Sequence, residues 1–362
     1  MLYRALGLMS GSSLDGLDVC FAEFEVLGAN WNYRIVAADC YAYNEEWMQR
    51  LQQAPSLSAR DYMQLHADYG HLLGQMVQQF IAAHELAYKV QLIGSHGHTT
   101  FHAPGTRMTH QLGDGAALAA TTGIHVVSDL RAVDVALGGQ GAPIVPIGEK
   151  LLFPEYRFFL NLGGIANISV KQDVYCAYDV CPANRVLNLL AQATGAAYDA
   201  GGALARQGTV YEPLLQQLNA LPYYAQPYPK SLANEFGTHT VYPLIQQVGI
   251  STADALRTMV EHIAQQIQKA VTLHAPAATG SKPQMLITGG GAFNTFLVER
   301  IQALLPQVTV VIPDAALVQY KEAMIMALMA VLRWREETNV LHTVTGARRS
   351  SVGGAIWMGQ EW

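Results

Sequence analysis

The sequence predicts an α/β protein of two lobes, each a mixed sheet flanked by helices, with a cleft between them. Three observations predict it. One arrangement of strand, glycine-rich turn, strand and strand occurs twice, first from Ala5 and again from Phe158. Helical stretches follow each copy and alternate with short apolar strands, the order that gives parallel pairing through crossover helices. A chain of 362 residues at 51% hydrophobic also has enough apolar mass for two cores.

In the first copy, Ala5 to Met9 is an apolar strand and Ser10-Gly11-Ser12-Ser13 a small-residue turn. Leu14 to Asp18 then leads into an alternating strand carrying Val19, Phe21, Phe24 and Val26, and Tyr33 to Tyr41 supplies the third. Ser58 to Asp61 resembles a capping box with Asp in place of Glu. Beyond it Tyr62, Leu65, Tyr69, Leu72, Leu73, Met76 and Phe80 recur at helical spacing, a stripe that faces the core. Val90 to Gly94 reads as a buried strand running into Ser95-His96-Gly97-His98-Thr99-Thr100-Phe101-His102, and Ile124 to Ser128 as another, ending in Asp129-Leu130-Arg131.

The second copy has strands at Phe158 to Leu162 and Ile165 to Val170, joined by Gly163-Gly164, and a third strand ending at Asp179. Cys181-Pro182 follows, and Asn184 can cap a helix from Arg185 to Gln192. Ser251 to Asp254 opens a helix over Ala255 to Leu273, and Met285 to Thr288 is a strand opening into Gly289-Gly290-Gly291. A helix from Phe296 to Leu304, a strand from Val308 to Ile312 and a helix from Lys321 to Glu336 complete the series. The expected division places residues 1–130 with 346–362 in one lobe and 131–345 in the other.

Composition narrows the class. Charged residues make up 14% and the formal net charge is −6, with no basic tract, which argues against a nucleic-acid partner. The opening MLYRALGLMSGSS is broken too soon by glycine and serine for a signal peptide, and no apolar run reaches membrane-spanning length. A cytoplasmic protein without a membrane partner is the expectation. Cys20, Cys40, Cys176 and Cys181 show no paired metal spacing, so reduced thiols are expected.

Three glycine turns each follow a strand: Gly11 to Gly16, Gly163-Gly164 and Gly289 to Gly291. None is a Walker A loop and none carries a dinucleotide fingerprint. Two matched hairpins and a third turn before a helix suggest a gripped nucleotide, with the hairpins on the phosphates and the third turn at the adenosine. Asp179, at a strand end beside a glycine turn and a helix start, is well placed to be catalytic, although most such aspartates are turn or cap residues. His96, His98, His102 and His110 lack carboxylates at ligand spacing, which favours sugar binding over a metal.

GLMSGSSLDGLDV (Gly7 to Val19), DLRAVDVALGGQGAP (Asp129 to Pro143), NLGGIANIS (Asn161 to Ser169), YDVCPAN (Tyr178 to Asn184) and TGGGAFN (Thr288 to Asn294) resemble anhydro-N-acetylmuramic acid kinase. That family belongs to the sugar-kinase, chaperone-ATPase and actin superfamily, and the resemblance runs to SSVGGAIWMG at the end of the chain. It implies a two-lobed, actin/hexokinase-like (ribonuclease H-like) architecture and an ATP-dependent reaction. In that reaction water cleaves the 1,6-anhydro bridge of 1,6-anhydro-N-acetylmuramic acid while O6 is phosphorylated, giving N-acetylmuramic acid 6-phosphate and ADP.

The resemblance implies Asp179 as the base that activates water. It places ATP on Gly11, Ser12, Ser13, Leu14, Asp15, Gly16, Leu17, Asp18, Gly163, Gly164, Gly289, Gly290, Gly291 and Asn294. Asp15 and Asp18 become candidates to hold Mg²⁺ through water, a turn hydrogen bond being the rival role for Asp18. Ser13, His96, Arg131, Gln140 and Glu322 become candidates for the sugar. The guanidinium fork of Arg131 suits a lactyl carboxylate, with a salt bridge as the rival, and Glu322 otherwise reads as a solvated glutamate at a helix start. The family also implies a homodimer acting in peptidoglycan recycling.

Two motifs depart from the family pattern: Gly11-Ser12-Ser13 replaces Gly-Thr-Ser, and Val180-Cys181-Pro182-Ala183-Asn184 replaces Thr-Gly-Pro-Gly-Asn. Competing readings are an actin- or chaperone-like ATPase with a protein partner, and a sugar-binding relative with altered catalysis.

Overall fold

The computed structural model describes residues 1–11, 14–228, 230–233, 235–275 and 281–359. Contacts divide the chain into two compact units, Met1–Pro154 with Tyr320–Trp362, and Glu155–Gln319.

The first unit contains β1 (Leu2–Ser10), β2 (Gly16–Leu27), β3 (Asn30–Ala42), β4 (Leu92–Ala103), β5 (Met108–Leu112), β6 (His125–Ser128) and, from the end of the chain, β12 (Ala355–Trp357). The second contains β7 (Phe158–Leu162), β8 (Ile165–Val170), β9 (Cys176–Pro182), β10 (Gln284–Thr288) and β11 (Thr309–Val311). The expected duplication is a duplication of topology. One sheet runs β3-β2-β1-β4-β6, with β12 beyond β6 and β5 on β4; the other runs β9-β8-β7-β10-β11. In each, the first three strands form an antiparallel meander and the next two pair in parallel. This is the mixed-sheet α/β class read from the sequence.

Each sheet buries a face against a long amphipathic helix. In the first unit, Ser58 caps the helix Ala59–Ala83 by accepting from the Asp61 N–H, and Leu65, Tyr69, Leu73, Val77 and Phe80 face the core. In the second, Ser251 caps Thr252–Leu273 in the same way, and Leu256, Met259, Ile263 and Ile267 pack among the strand residues Leu160, Ile168 and Ile287. Burial of one such side chain contributes about 1.5–3 kcal/mol.

The helix Ala315–Trp334 starts before the expected Lys321, with Asp314 accepting from the Leu317 N–H at 2.9 Å. It lies hard against the first sheet. A Cβ on Gly7 would overlap the Ala323 carbonyl and one on Gly94 the Met326 carbonyl, so only glycine permits this approach. Where the sequence reading expects no apolar run of spanning length, this helix is long and apolar enough to cross a membrane, and 72% of that stretch is buried inside the protein.

Residues 131–154 and 320–345 lie with the first unit, where the sequence reading had placed them in the other lobe. Buried polar contacts hold them there. Thr345 Oγ1 donates to Asp134 Oδ1 at 2.7 Å, and Lys321 Nζ meets Glu149 Oε1 at 3.0 Å with both side chains 3% exposed.

Candidate active site

In the second unit β7 ends at Leu162 and β8 begins at Ile165, so Gly163-Gly164 is the whole turn. Its carbonyls point at the next helix, Asn184–Gln192. Gly164 O accepts from the Ala183 N–H at 2.8 Å and the Arg185 N–H at 3.3 Å, and Gly163 O from the Asn184 N–H at 3.1 Å. Asn184 is therefore not the side-chain cap expected; its Nδ2 donates to Leu162 O at 2.8 Å. A Cβ on Gly291 would stand 2.9 Å from Asn184 Oδ1, which brings the third glycine turn to the same place. Asn294 caps the helix Thr295–Leu304, accepting from the Leu297 N–H at 3.0 Å.

The glycines here are of two kinds. Gly289 has φ +82°, and a Cβ on Gly291 would lie 2.6 Å from that of Leu162, so packing requires both. A Cβ on Gly164 would meet nothing nearer than 3.7 Å, and one on Gly290 nothing nearer than 4.0 Å. Internal packing does not explain those two. Their bare backbone leaves room for a ligand.

Thr288, Asn161, Asn167 and Asp179 are successive register partners across β10, β7, β8 and β9. Register partners share a face, so the four form one polar row, while Leu160, Ile168 and Ile287 occupy the apolar face behind. The ladder shifts between Ala166 and Asn167, which leaves Val180 bulged between the partners Asp179 and Cys181. Val180, Cys181 and Ala183, which depart from the family pattern in this stretch, are all buried, and Asp179 still stands beside Asn167. Asp179 Oδ2 accepts from the Leu232 N–H at 2.8 Å. Burial lifts its pKa above the ordinary carboxylate value, and the Leu232 bond opposes the rise. Tyr223 donates to the Asp179 carbonyl at 2.7 Å, and Lys230 Nζ to the Tyr223 carbonyl at 3.1 Å, which fixes the strand end.

In the first unit the hairpin joining β1 to β2 carries Gly11, Leu14 (φ +59°) and Asp15, and Gly16, Leu17 and Asp18 begin β2. Ser12 and Ser13 lie outside the described residues. Gly16 is required by packing, since a Cβ would lie 2.6 Å from Tyr41 O. Asp18 is the register partner of Cys40, its pKa pushed up to about 6 by burial, with the Cys40 hydrogen bond opposing and Asp15 and Glu322 adding to the rise.

The histidine segment, into which the expected strand Val90 to Gly94 runs, is the second half of β4. Ser10 Oγ lies 3.1 Å from His98 Nδ1 and accepts from Tyr43 Oη at 2.9 Å. His96 is buried, with Nδ1 on Gly97 O at 2.9 Å and Nε2 accepting from Arg131 Nε at 2.9 Å. Its ring is therefore the neutral Nδ1–H tautomer, and burial, with Arg131 adding to it, pushes its pKa down to about 3. Arg131 also donates to Gly141 O at 3.1 Å. Burial lowers the Arg131 pKa to about 10, with Glu322 opposing.

Glu322 sits inside the helix Ala315–Trp334 rather than at a helix start, and burial raises its pKa against Lys321 and Arg131. Gln140 is exposed, its N–H donating to Thr345 O at 2.8 Å. Sequence reasoning missed Asp134, which is wholly buried and accepts from the Gly141 N–H at 2.8 Å, fixing the loop that Arg131 touches. A lone carboxylate among small and apolar residues just before Gly138-Gly139 was its only signal.

A family model described as anhydro-N-acetylmuramic acid kinase matches residues 3–359. The chain belongs to this family. The anhydro-N-acetylmuramic acid kinase of Vibrio cholerae is 37% identical over 369 residues, 97% of each chain. That of Vibrio parahaemolyticus is 35% identical over 368 residues, again 97% of each. Component A of the (R)-2-hydroxyglutaryl-CoA dehydratase of Acidaminococcus fermentans aligns at TM-score 0.47 and 13% identity, covering 91% of this chain and 97% of that one. That likeness is too slight to bear on function.

Membership in the anhydro-N-acetylmuramic acid kinase family makes the chain an enzyme that uses ATP. The second unit fits a nucleotide on its own evidence: Gly164 and Gly290 are open, and the Thr288 hydroxyl is buried with no hydrogen-bond partner. Among the described residues no group of three or more His, Cys, Asp or Glu side chains could hold a metal. Asp15 and Asp18 remain a suitable pair for a cation that keeps most of its water.

Proposed function

We propose that this kinase hydrolyses the 1,6-anhydro bridge of 1,6-anhydro-N-acetylmuramic acid and phosphorylates O6, giving N-acetylmuramic acid 6-phosphate and ADP. The observation that carries this reading is the state of Asp179. It ends a polar row, is held by the Leu232 N–H, and has a pKa raised by burial toward that of a useful base. A water proton passes to Asp179 as the water oxygen bonds to the anomeric carbon. The bond from that carbon to O6 breaks, and O6 takes its electron pair to the γ-phosphorus as the bond to ADP breaks. Cleavage and transfer are then one coupled event, because O6 becomes a good acceptor only as the bridge opens.

The other roles follow from residue chemistry. The backbone at Gly11 to Asp18, Gly163-Gly164 and Gly289 to Gly291 binds ATP, with Asn294 holding the third turn's helix. Asp15 and Asp18 would hold Mg²⁺ through water, and the ion would supply neutralisation of phosphate charge. Arg131 takes the lactyl carboxylate as a bidentate fork, His96 orients it, and Gln140 and Glu322 contact the sugar. We assign the reaction to peptidoglycan recycling in the cytoplasm by a homodimer, a state that light scattering tests. The deciding experiment is incubation with Mg-ATP and the anhydro-sugar in ¹⁸O-labelled water. A product of the mass of N-acetylmuramic acid 6-phosphate, labelled at the anomeric oxygen, is expected; label in the phosphate overturns the reading.

A further inference from the structure

Arg185 occupies the first turn of the helix Asn184–Gln192, next to the end at which backbone N–H groups make a cation unwelcome. Its Nε is buried with no hydrogen-bond partner, and no ion pair compensates the guanidinium among the described residues. A buried unpaired donor on a charged group is costly, and a cation in the first turn adds to that cost. The side chain runs beside the glycine turn: a Cβ on Gly164 would lie 3.7 Å from both Cβ and Nε of Arg185. The adjoining turn has a second unsatisfied group, the hydroxyl of Thr288, which is 1% exposed and precedes Gly289.

An anion beside Gly164 would relieve both costs at once, pairing with the guanidinium and offsetting the placement of a cation in the first turn; the first N–H groups of the helix are already taken by the Gly163 and Gly164 carbonyls. We infer that Arg185 is a phosphate ligand, its guanidinium donating to a phosphate oxygen of the nucleotide on the Gly163-Gly164 turn. This rests on the reading that the turn binds nucleotide phosphates, and it adds a side-chain cation to what was a backbone site. Sequence alone gave no hint of it, because Arg185 stands just past Asn184 and looks like any polar helix start.

Arg185→Gln, Arg185→Lys and Gly164→Val test the assignment by calorimetry with ATP, ADP and adenosine, alongside thermal unfolding without ligand. Arg185→Gln should weaken ATP and ADP about tenfold, the effect of one charge-assisted hydrogen bond. It should leave adenosine affinity unchanged and the unliganded Tm equal or higher, since a burden on the empty protein is removed. Arg185→Lys should recover part of the loss, and the salt dependence of ATP binding should be shallower in Arg185→Gln. Unchanged ATP affinity in Arg185→Gln, with Gly164→Val weakened, overturns the role of Arg185 and leaves the turn as the phosphate site. No change in either variant overturns both. A fall in unliganded Tm with equal losses for ATP and adenosine shows a structural role and also overturns the inference.

Discussion

Asn167 and Asp179 face each other across neighbouring strands at the point where Val180 bulges from the ladder. The bulge matters because side chains alternate along a strand, and one extra residue resets which of them share a face. Through it Asp179 joins the row of Asn161 and Thr288, while Tyr178 stays on the apolar side with Ile168.

Asp179→Asn keeps that geometry and removes the ability to take a proton. The expected loss in kcat is roughly 10²- to 10⁴-fold, with ATP affinity little changed. Since burial raises the Asp179 pKa, activity should fall as pH drops through a value above the usual carboxylate range. Steady-state kinetics across pH, with calorimetry for ATP, checks both; near-parental turnover would refute the role.

Arg131→Lys replaces a fork with a point charge and loses the bond to His96. KM for the anhydro-muramic sugar should rise, and preference for it over anhydro-N-acetylglucosamine, which lacks the lactyl group, should shrink. Equal turnover of the two sugars by the parent enzyme would remove carboxylate recognition from Arg131.

Gly164→Val and Gly290→Val should weaken ATP binding while the fold survives, because a Cβ at either place meets only ordinary van der Waals neighbours. Gly291→Val should instead lower stability, since its Cβ would press on Leu162. Calorimetry and thermal unfolding separate the two outcomes. Full ATP affinity in both open-glycine variants would contradict the assignment of these turns.

Asp18 makes stability depend on pH. Its folded pKa is about 6 against the ordinary aspartate value of 3.8, so between these pH values the folded state holds a proton that the unfolded state has lost. Stability from this group is therefore present at low pH and lost as pH rises toward and past about 6. In the absence of nucleotide and Mg²⁺, Asp18→Asn should raise Tm at pH 8, with the gain vanishing near pH 4. A constant difference across that range would show that Asp18 is not the titrating group.

Lys321→Met should destabilise the first unit by about 3–5 kcal/mol, because it removes the cation from a buried ion pair with Glu149. Pairing it with Glu149→Leu should restore much of the loss. Denaturant unfolding of the single and double variants measures the difference, and a harmless single change would contradict it.

Much of the architecture was legible because local pattern and tertiary role agree. The glycine turns, the alternating β2 and the stripe from Tyr62 to Phe80 all carry their periodicity in the chain. β4 was cut short at Gly94 because its second half is histidine and threonine, and their hydrogen bonds come from distant partners such as Ser10 and Arg131. The start of the helix at Ala315 was hidden by an apolar run whose cap, Asp314, has no second marker. Asp134 and Arg185 illustrate the limit for the site. Their importance lies in what Gly141, Thr345 and Gly164 bring to them, and spacing along the chain does not encode that.

The first sheet takes β1 from the beginning of the chain and β12 from its end, and the helix fitted onto Gly7 comes after the whole second unit. Synthesis is vectorial, so the ribosome delivers β1 to β6 long before the helix that covers Gly7 and Gly94. The second unit is contiguous and can close on itself while the first still waits. During that interval the apolar surface on the Gly7 and Gly94 face, around Ala5, Cys20, Ala22 and Val127, is the part of the nascent chain most in need of shelter, and truncation before Ala315 would leave it permanently uncovered.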